Sequence, residues 1–210
     1  GGFFIIDDEV SDRLPLPRSY GVDDIPVILQ DRRIGDDGQL RYRPGGPDVM
    51  HGYLGNVMLA NGAVSPVLQA PAGVLRLRLL NGSSSSVYRL TLSDGTRMHQ
   101  VASDGGFLER PVELEAVVLS PGERAEVLVD LAGRAMGSTL ALEAELFQGG
   151  RLRALSIVAS RPAATALSIP ATLAPVERLD PARSERVRPF VLSTMGPGGQ
   201  LTINGRHIDM

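Results

Sequence analysis

The chain has 210 residues, of which 43% are apolar and 21% are charged, proportions that are usual for a globular protein. It contains no cysteine, which excludes disulfides, thiolate nucleophiles and every metal centre that needs a cysteine ligand. Its net charge is −3, and its 21 arginines are mixed with 24 acidic residues rather than clustered, which argues against a nucleic-acid-binding surface. No apolar run is long enough to span a membrane.

Short β-strands are predicted along most of the chain, starting at the N-terminus. The apolar residues 3–6 are followed by three acidic residues and are typical of a strand already in progress where the sequence begins. Nine further runs show β-type patterns and end near turn signals such as Asn-Gly, Asp-Gly or Pro-Gly. They cover residues 25–30, 57–60, 74–80, 88–92, 98–102, 112–119, 125–130, 139–147 and 151–158. With 24 glycines, 15 prolines and no convincing helical periodicity, this pattern predicts an all-β sandwich or barrel.

Alternation along two of these runs predicts which side chains face the core. In residues 74–80, three leucines at 75, 77 and 79 share one face of the strand, and the two arginines between them lie on the other face. Val127 and Val129 alternate in the same way with charged or apolar neighbours and are predicted to face the core as well.

Turn chemistry adds two expectations about the connections. Asn-Gly pairs at 61–62, 81–82 and 204–205 predict tight turns with positive φ. Pro121 and Gly122 predict a turn immediately before a strand, and Glu123 or Arg124 is expected to hold that turn through a charge pair.

The character of the chain changes after the last of these runs. Five prolines punctuate an Ala- and Arg-rich stretch that begins at residue 161, which predicts an extended linker over the surface. Strand patterns at 188–194 and 201–205 follow it. This order fits one β domain, a linker and the opening of a second domain. In the alternative, both terminal strands are ordinary edge strands of one sandwich.

Seven short motifs, in series over nearly the whole chain, together resemble the middle domain of three-domain multicopper oxidases, most nearly the bacterial copper-efflux oxidase and laccase group. The motifs are GFFIIDD at 2–8, DDIPVILQDR at 23–32, LANG at 59–62, LRLRLLNGS at 75–83, ASDGG at 102–106, LSPGERAEVLV at 119–129 and ING at 203–205.

The resemblance implies an all-β, cupredoxin-like Greek-key β-sandwich whose terminal strands belong to neighbouring domains. It implies the last strand of a preceding cupredoxin-like domain at 1–12, the middle domain at 13–160, a linker at 161–186 and the start of a following cupredoxin-like domain at 187–210. It also implies that the whole protein is a laccase-like oxidoreductase that oxidises phenols or metal ions such as Cu(I) and reduces O₂ to water. This chain would then be an inactive spacer whose partners are the flanking domains.

The resemblance implies no copper ligand within this chain. In such enzymes the coppers lie in the first and third domains, held by His-x-His motifs and a Cys flanked by His, and this chain has neither feature. We therefore predict no catalytic, cofactor-binding or metal-binding residue here, and copper only in the full-length parent. His51, His99 and His207 are too far apart in sequence to suggest a metal motif. The six methionines, at 50, 58, 98, 136, 195 and 210, are interpreted as core filler.

Two alternatives to the oxidase stay open on the sequence alone. Some proteins with the same three-domain fold have lost all copper ligands, such as the bacterial cell-division protein that is exported to the periplasm. The motif at 23–31 occurs in both groups, and we favour the oxidase because such enzymes are more abundant. In the other alternative the chain is an unrelated β-sandwich binding module. The resemblance implies a periplasmic or secreted location, and exposed terminal strands would allow a dimer.

Overall fold

The computed structural model describes residues 3–147, 149–193 and 201–207. The chain divides into two compact units, Gly1–Val176 and Glu177–Met210. No helix among the described residues is long and apolar enough to cross a membrane.

Twelve strands and two short helices build the described part of the first unit. The strands are β1 (Asp24–Arg32), β2 (Val57–Ala60), β3 (Ala63–Val64), β4 (Val67–Ala72), β5 (Val74–Asn81), β6 (Tyr88–Leu92), β7 (Met98–Ser103), β8 (Gly106–Leu114), β9 (Val117–Leu119), β10 (Arg124–Asp130), β11 (Thr139–Leu146) and β12 (Arg151–Pro162). Helix α1 (Glu9–Arg13) precedes β1, and α2 (Gly46–His51) lies in the connection between β1 and β2.

These strands form two sheets that pack as a sandwich. The larger sheet has the order β3-β2-β1-β5-β10-β7-β8, and the smaller has the order β4-β12-β11-β6-β9. The pairs β1 with β5 and β4 with β12 are parallel, whereas the other pairs in both sheets are antiparallel. Within the described residues, the chain crosses between the two sheets seven times: on either side of β4, on either side of β6, on either side of β9, and between β10 and β11. The predicted all-β, cupredoxin-like sandwich is therefore confirmed.

The inner core lies between the two sheets and has the predicted composition. Leu75, Leu77 and Leu79 of β5 are fully buried there, as are Val127 and Val129 of β10. Burial of each such side chain contributes on the order of 1.5–3 kcal/mol.

The opposite face of the larger sheet carries a second apolar layer, which we call the outer cluster. Two segments cover this face: the entry segment, residues 14–17, and the exit segment, residues 163–174. The outer cluster consists of Leu14, Leu16, Val74, Val101 and Leu128, with Phe107, Leu167, Ile169 and Leu173 packed against them. Both faces of β5 are therefore covered, and its side chains are buried at every position except Leu80.

The Pro-rich stretch predicted as a linker is in part docked on the sandwich. The backbone N–H of Leu173 donates to the carbonyl of Glu109 at 2.9 Å, and that of Ala174 donates to the carbonyl of Leu108 at 3.3 Å. Both acceptors lie on β8, which is an edge strand of the larger sheet. The exit segment thus lies against this edge, and the division between the two units falls beyond it, after Val176.

Several local predictions were wrong. Residues 3–6 form no strand, and the run predicted at 112–119 is two strands, since the chain passes from the larger sheet to the smaller between Leu114 and Val117. Strands β3 and β4 and both helices were not predicted. Helix α1 begins because the Asp8 carboxylate accepts the N–H of Ser11 at 2.8 Å, which also lowers the pKa of Asp8.

The Asn-Gly prediction holds at two sites and fails at the third. Asn61 and Asn204 both have a φ of 51°, and the glycine after each also has positive φ. At 81–82 neither residue lies in that region. Instead the Asn81 side chain is buried and its amide donates to the carbonyls of Ser86 at 2.7 Å and Leu119 at 2.8 Å, which ties neighbouring connections to the end of β5.

The described part of the second unit contains one 3-10 helix (Pro181–Arg183) and one strand pair, β13 (Leu192–Ser193) with β14 (Thr202–Ile203). The Asn204 carboxamide accepts the N–H of Val191 at 2.8 Å and donates to the carbonyl of Pro189 at 3.1 Å. The Asn61 carboxamide does the same in the first unit, where it accepts from Ile28 at 2.8 Å and donates to Pro26 at 2.9 Å.

The two strand pairs share their register as well. Leu29 pairs with Ala60 in the first unit, one residue beyond Ile28 and one before Asn61. Leu192 pairs with Ile203 in the second unit, at the corresponding positions relative to Val191 and Asn204. The opening strand pair of the first unit is therefore repeated in the second.

Candidate functional site

The histidines do not converge on one place. His51 is exposed at the end of α2, and His207 is exposed in the second unit. His99 is half-buried on β7, where its Nδ1 is buried without a hydrogen-bond partner, and the neighbouring Met98 is fully buried in the inner core. Residues next to each other on a strand face opposite sides, so Met98 and His99 do not share a ligand.

The methionines are similarly dispersed. Met58 and Met98 are buried in the inner core, whereas Met136 is 55% exposed. Met195 and Met210 lie outside the described residues, and the side chain of Met50 is not described.

The residues present do not fit a copper centre of the kind that the fold family implies. A blue-copper site needs a cysteine thiolate and two imidazoles, and the sequence has no cysteine. Among the described residues, no three His, Asp or Glu side chains lie close enough to hold a metal ion.

The most concentrated polar feature is a network of four charged side chains on the outer face of the larger sheet. Asp24 of β1, Arg76 and Arg78 of β5 and Glu126 of β10 come from three adjacent strands. Arg78 donates to both carboxylate oxygens of Asp24, at 2.8 and 2.7 Å, and to Glu126 at 3.0 Å. Arg76 donates to Glu126 through Nε at 2.8 Å and lies 3.8 Å from Asp24. The network as a whole is neutral, since its two arginines balance its two carboxylates.

Burial makes this network consequential. Asp24, Arg76 and Arg78 are 3%, 5% and 8% exposed, so each charge has lost most of its water and depends on its partners. Burial disfavours the charged form of Arg78, but hydrogen bonds to Asp24 and the nearby charge of Glu126 outweigh it and raise its pKa. The last residue of the entry segment also contacts the network, since Arg76 donates to the carbonyl of Pro17 at 3.5 Å.

A second buried polar cluster surrounds Asp31 at the end of β1. Its carboxylate accepts from the Tyr88 hydroxyl at 2.6 Å, from the Ser86 hydroxyl at 2.8 Å and from the N–H of Gly55. Asp31, Ser86 and Tyr88 are all almost fully buried. Burial and the bond to Asp31 raise the pKa of Tyr88, which keeps the phenol protonated as a donor. The cluster joins β1, β6 and the connection before β2.

That connection, residues 33–56, is a folded excursion rather than a loose loop. Arg33 donates to Asp48 at 3.1 Å and to the carbonyl of Leu54 at 2.8 Å, and it lies over the Tyr53 ring with 4.2 Å to the centroid. The Tyr42 and Tyr53 rings are 5.0 Å apart. The hydrogen bond from Arg33 lowers the pKa of Asp48 and raises that of Arg33. These contacts fix the excursion at one end of the sandwich.

An open groove of about 570 Å³ lies over the outer face beside the charge network. Residues 3–7 form one side of it, and the hairpin between β7 and β8 forms another. Its three arginines, Arg76, Arg78 and Arg124, are each paired with a carboxylate; Arg124 lies 3.2 Å from Asp104, which confirms the predicted charge pair at the turn.

Sequence reasoning missed the two buried polar clusters. For the first, the alternation correctly placed Arg76 and Arg78 on one strand face, but this pattern is also typical of a face exposed to water. Nothing in the local pattern revealed that residues 14–17 and 163–174 cover that face. For the second, Asp31 directly follows the predicted run 25–30, and nothing in that local pattern indicated that its carboxylate is buried.

Comparison with known proteins gives two groups of relatives, and no protein-family model matches the chain. The cell division protein FtsP of Sodalis glossinidius is 49% identical over 131 residues, which are 62% of this chain and 27% of that protein. FtsP of Escherichia coli strain K12 is 44% identical over the same length. The chain thus spans about a quarter of the length of these curated relatives.

The structural neighbours are copper oxidases. A laccase-like multicopper oxidase, CueO, from Ochrobactrum superposes with a TM-score of 0.84 and 33% identity over 97% of this chain and 48% of its own. McoA multicopper oxidase from Aquifex aeolicus superposes with a TM-score of 0.84 and 29% identity over 95% of this chain and 45% of its own. Fold, motif series and sequence identity agree, and they confirm the resemblance of this chain to multicopper oxidases.

Proposed function

We propose that this chain is the middle, copper-free cupredoxin-like domain of an FtsP-type cell-division protein, with short parts of the domains before and after it. The observation that carries the proposal is the identity of 44–49% to FtsP proteins over about 131 residues. The solved copper oxidases are 29–33% identical over nearly the whole chain. The oxidase interpretation keeps the support of the fold, but the sequence is nearer to the division proteins.

The role we propose is positional. The chain's buried charges are engaged with one another: Arg78 with Asp24, and Arg76 with Glu126. Such a network holds strands and covering segments in one arrangement. A rigid sandwich with docked entry and exit segments suits a domain that sets the spacing between its neighbours.

The proposed domain boundaries are 1–12 for the end of a preceding domain, 13–160 for the middle domain, 161–186 for the linker and 187–210 for the start of a following domain. The repeated strand pair supports the last of these, because the Asn204 side chain binds the backbone at Val191 as the Asn61 side chain binds the backbone at Ile28. Phe4 and Ile6, which are 90% and 76% exposed, support contact with a preceding domain. Periplasmic or secreted placement, as expected from the family, completes the proposal.

A graft tests the cell-division role directly. The matching segment of Escherichia coli FtsP is replaced by this chain, and the hybrid is produced in cells that lack their own FtsP. We expect division as with native FtsP. The matched control is the same hybrid with Asp24→Asn, which breaks the charge network within the graft. A correctly folded, exported hybrid that gives the same division defect as an empty vector contradicts the proposal.

Copper content separates the division protein from the oxidase. The full-length product of the gene that contains this chain is purified after growth with added Cu(II), and its copper is measured by mass spectrometry. We expect no stoichiometric copper and no blue absorption band. A product that holds copper in stoichiometric amounts and oxidises a phenol with consumption of O₂ would instead establish the oxidase.

A further inference from the structure

The outer cluster is shared by two segments that are far apart in the sequence. The entry segment contributes Leu14 and Leu16, which are 9% and 4% exposed. The exit segment contributes Leu167, Ile169 and Leu173. Side chains from three strands of the larger sheet lie in the same cluster: Val74 of β5, Val101 of β7 and Leu128 of β10.

Polar contacts tie each segment to the same sheet. On the entry side, Arg76 donates to the carbonyl of Pro17 at 3.5 Å. On the exit side, the N–H of Leu173 donates to Glu109 on β8 at 2.9 Å. Arg76 also lies over the ring of Phe107 at 5.5 Å from the centroid, and Phe107 packs against the outer cluster. The charge network and the outer cluster are therefore continuous.

We propose that the outer cluster couples the entry and exit segments, so that docking of either one on the sheet stabilises docking of the other. Both segments lose apolar surface to water at one shared site, and removal of either exposes side chains that the other needs as neighbours. Coupling of this kind is reciprocal by thermodynamic necessity: whatever the entry segment does for the exit segment, the exit segment does for the entry segment.

The consequence for the whole protein rests on the proposed function. The segments lead into the parts of the chain on either side of the sandwich. Because the docking site is shared, the two segments dock cooperatively: either both are bound to the sheet or both are released. The middle domain would then transmit displacement of one neighbour to the other as well as separating them.

Hydrogen exchange of the 210-residue chain tests the coupling. Leu16→Ala shortens a buried side chain of the entry segment. The reporters are the amides of Leu173 and Ala174, whose hydrogen bonds to β8 hold the exit segment. We expect these amides to exchange about tenfold faster than in the unchanged chain, within the usual range of coupling between sites. Ile169→Ala shortens a side chain of the exit segment, and the reporter is the peptide that covers residues 10–18. We expect faster exchange there by a similar factor.

A buried leucine of the inner core supplies the matched control. Leu140→Ala removes the same atoms from β11, at a residue 2% exposed that lies outside the outer cluster. Its effect on the two reporters should not exceed its effect on the amides of β5, which report global opening. If a truncated variant fails to fold, Leu16→Val and Ile169→Val provide milder tests of the same contacts.

The outcome is decisive either way. Faster amide exchange in the segment that carries no substitution, beyond the change in β5, supports the coupling. Faster exchange confined to the segment that carries the substitution overturns it. The test measures the chain's own segments, so its failure leaves the FtsP graft unaffected, and failure of the graft leaves the exchange result unaffected.

Discussion

Arg78 and Asp24 form a two-bond ion pair between the adjacent parallel strands β5 and β1. The bonds are 2.8 and 2.7 Å long, and both side chains are more than nine-tenths buried. Parallel two-bond geometry fixes orientation as well as charge. The pair lies under residues near the N-terminus, since Arg78 also lies 4.0 Å from Asp7. It therefore links the sheet to residues that precede the entry segment.

Asp24→Asn should lower the free energy of unfolding by about 3–5 kcal/mol, because it leaves two buried arginines facing the single charge of Glu126. Urea unfolding followed by circular dichroism measures the change. Glu113→Gln, in an exposed pair with Arg97, is the matched control and should change stability by less than about 0.5 kcal/mol. Equal stability of the two variants would contradict the structural role of the network.

Tyr88→Phe should lower the free energy of unfolding by about 1–3 kcal/mol, because Asp31 loses a buried donor. The pKa of Tyr88 is raised above its ordinary value of 10.0 by burial and by its bond to Asp31. The stability linked to this proton is therefore complete below about pH 10 and is lost as the pH rises further. Unfolding curves from pH 8 to 11 should fall less steeply for Tyr88→Phe than for the exposed control Tyr20→Phe. Parallel curves would rule out this linkage.

Asp94→Asn should remove part of the acid sensitivity of the chain. Burial works against ionisation of Asp94, but hydrogen bonds from Arg134 and Thr96 outweigh it and lower its pKa to about 2. The stability from this pair is present above the unfolded-state pKa of about 3.8 and is lost as the pH falls towards 2. Between pH 5 and 2, the midpoint temperature of thermal unfolding should fall less for Asp94→Asn than for the exposed control Asp36→Asn. The prediction fails if both decline alike.

Gly55→Ala should be strongly destabilising, by about 1–3 kcal/mol or more. An added Cβ would overlap the backbone nitrogen of Arg32 and lie 2.6 Å from the carbonyl carbon of Asp31, where backbone has little freedom to move. Gly105→Ala is the control, since its Cβ would meet nothing within 4 Å. Chemical unfolding of both variants measures the difference, and a Gly55→Ala variant as stable as its control would show that the approach of the two backbones is not required.

The sandwich could be predicted from the sequence because alternation and turn residues are local signals. The leucines of β5 were placed on the correct face, and Val127 and Val129 with them. The break between β8 and β9 could not be predicted, because residues 112–119 keep one β-type pattern through a change of sheet. That change depends on where the second sheet lies, which is set by contacts distant in sequence.

The candidate site was harder to predict from the sequence than the fold. Arg76 and Arg78 carry the same local pattern whether their face meets water or protein. Only the docking of Leu16 and Ile169 on that face decides the matter, and those residues are remote from β5 in the chain. Asn81 illustrates the same limit: an Asn-Gly pair is a turn signal, yet burial against Ser86 gave its side chain another use.

The bonds from Leu173 and Ala174 to β8 bear on how the isolated chain behaves at high concentration. An edge strand with free carbonyls accepts strands from other molecules and seeds aggregation. At Leu108 and Glu109 those acceptors are already occupied by the chain itself, and Pro111 on the same strand offers no amide to a foreign strand. Loosening of the exit segment would thus expose a strand edge suited to intermolecular assembly.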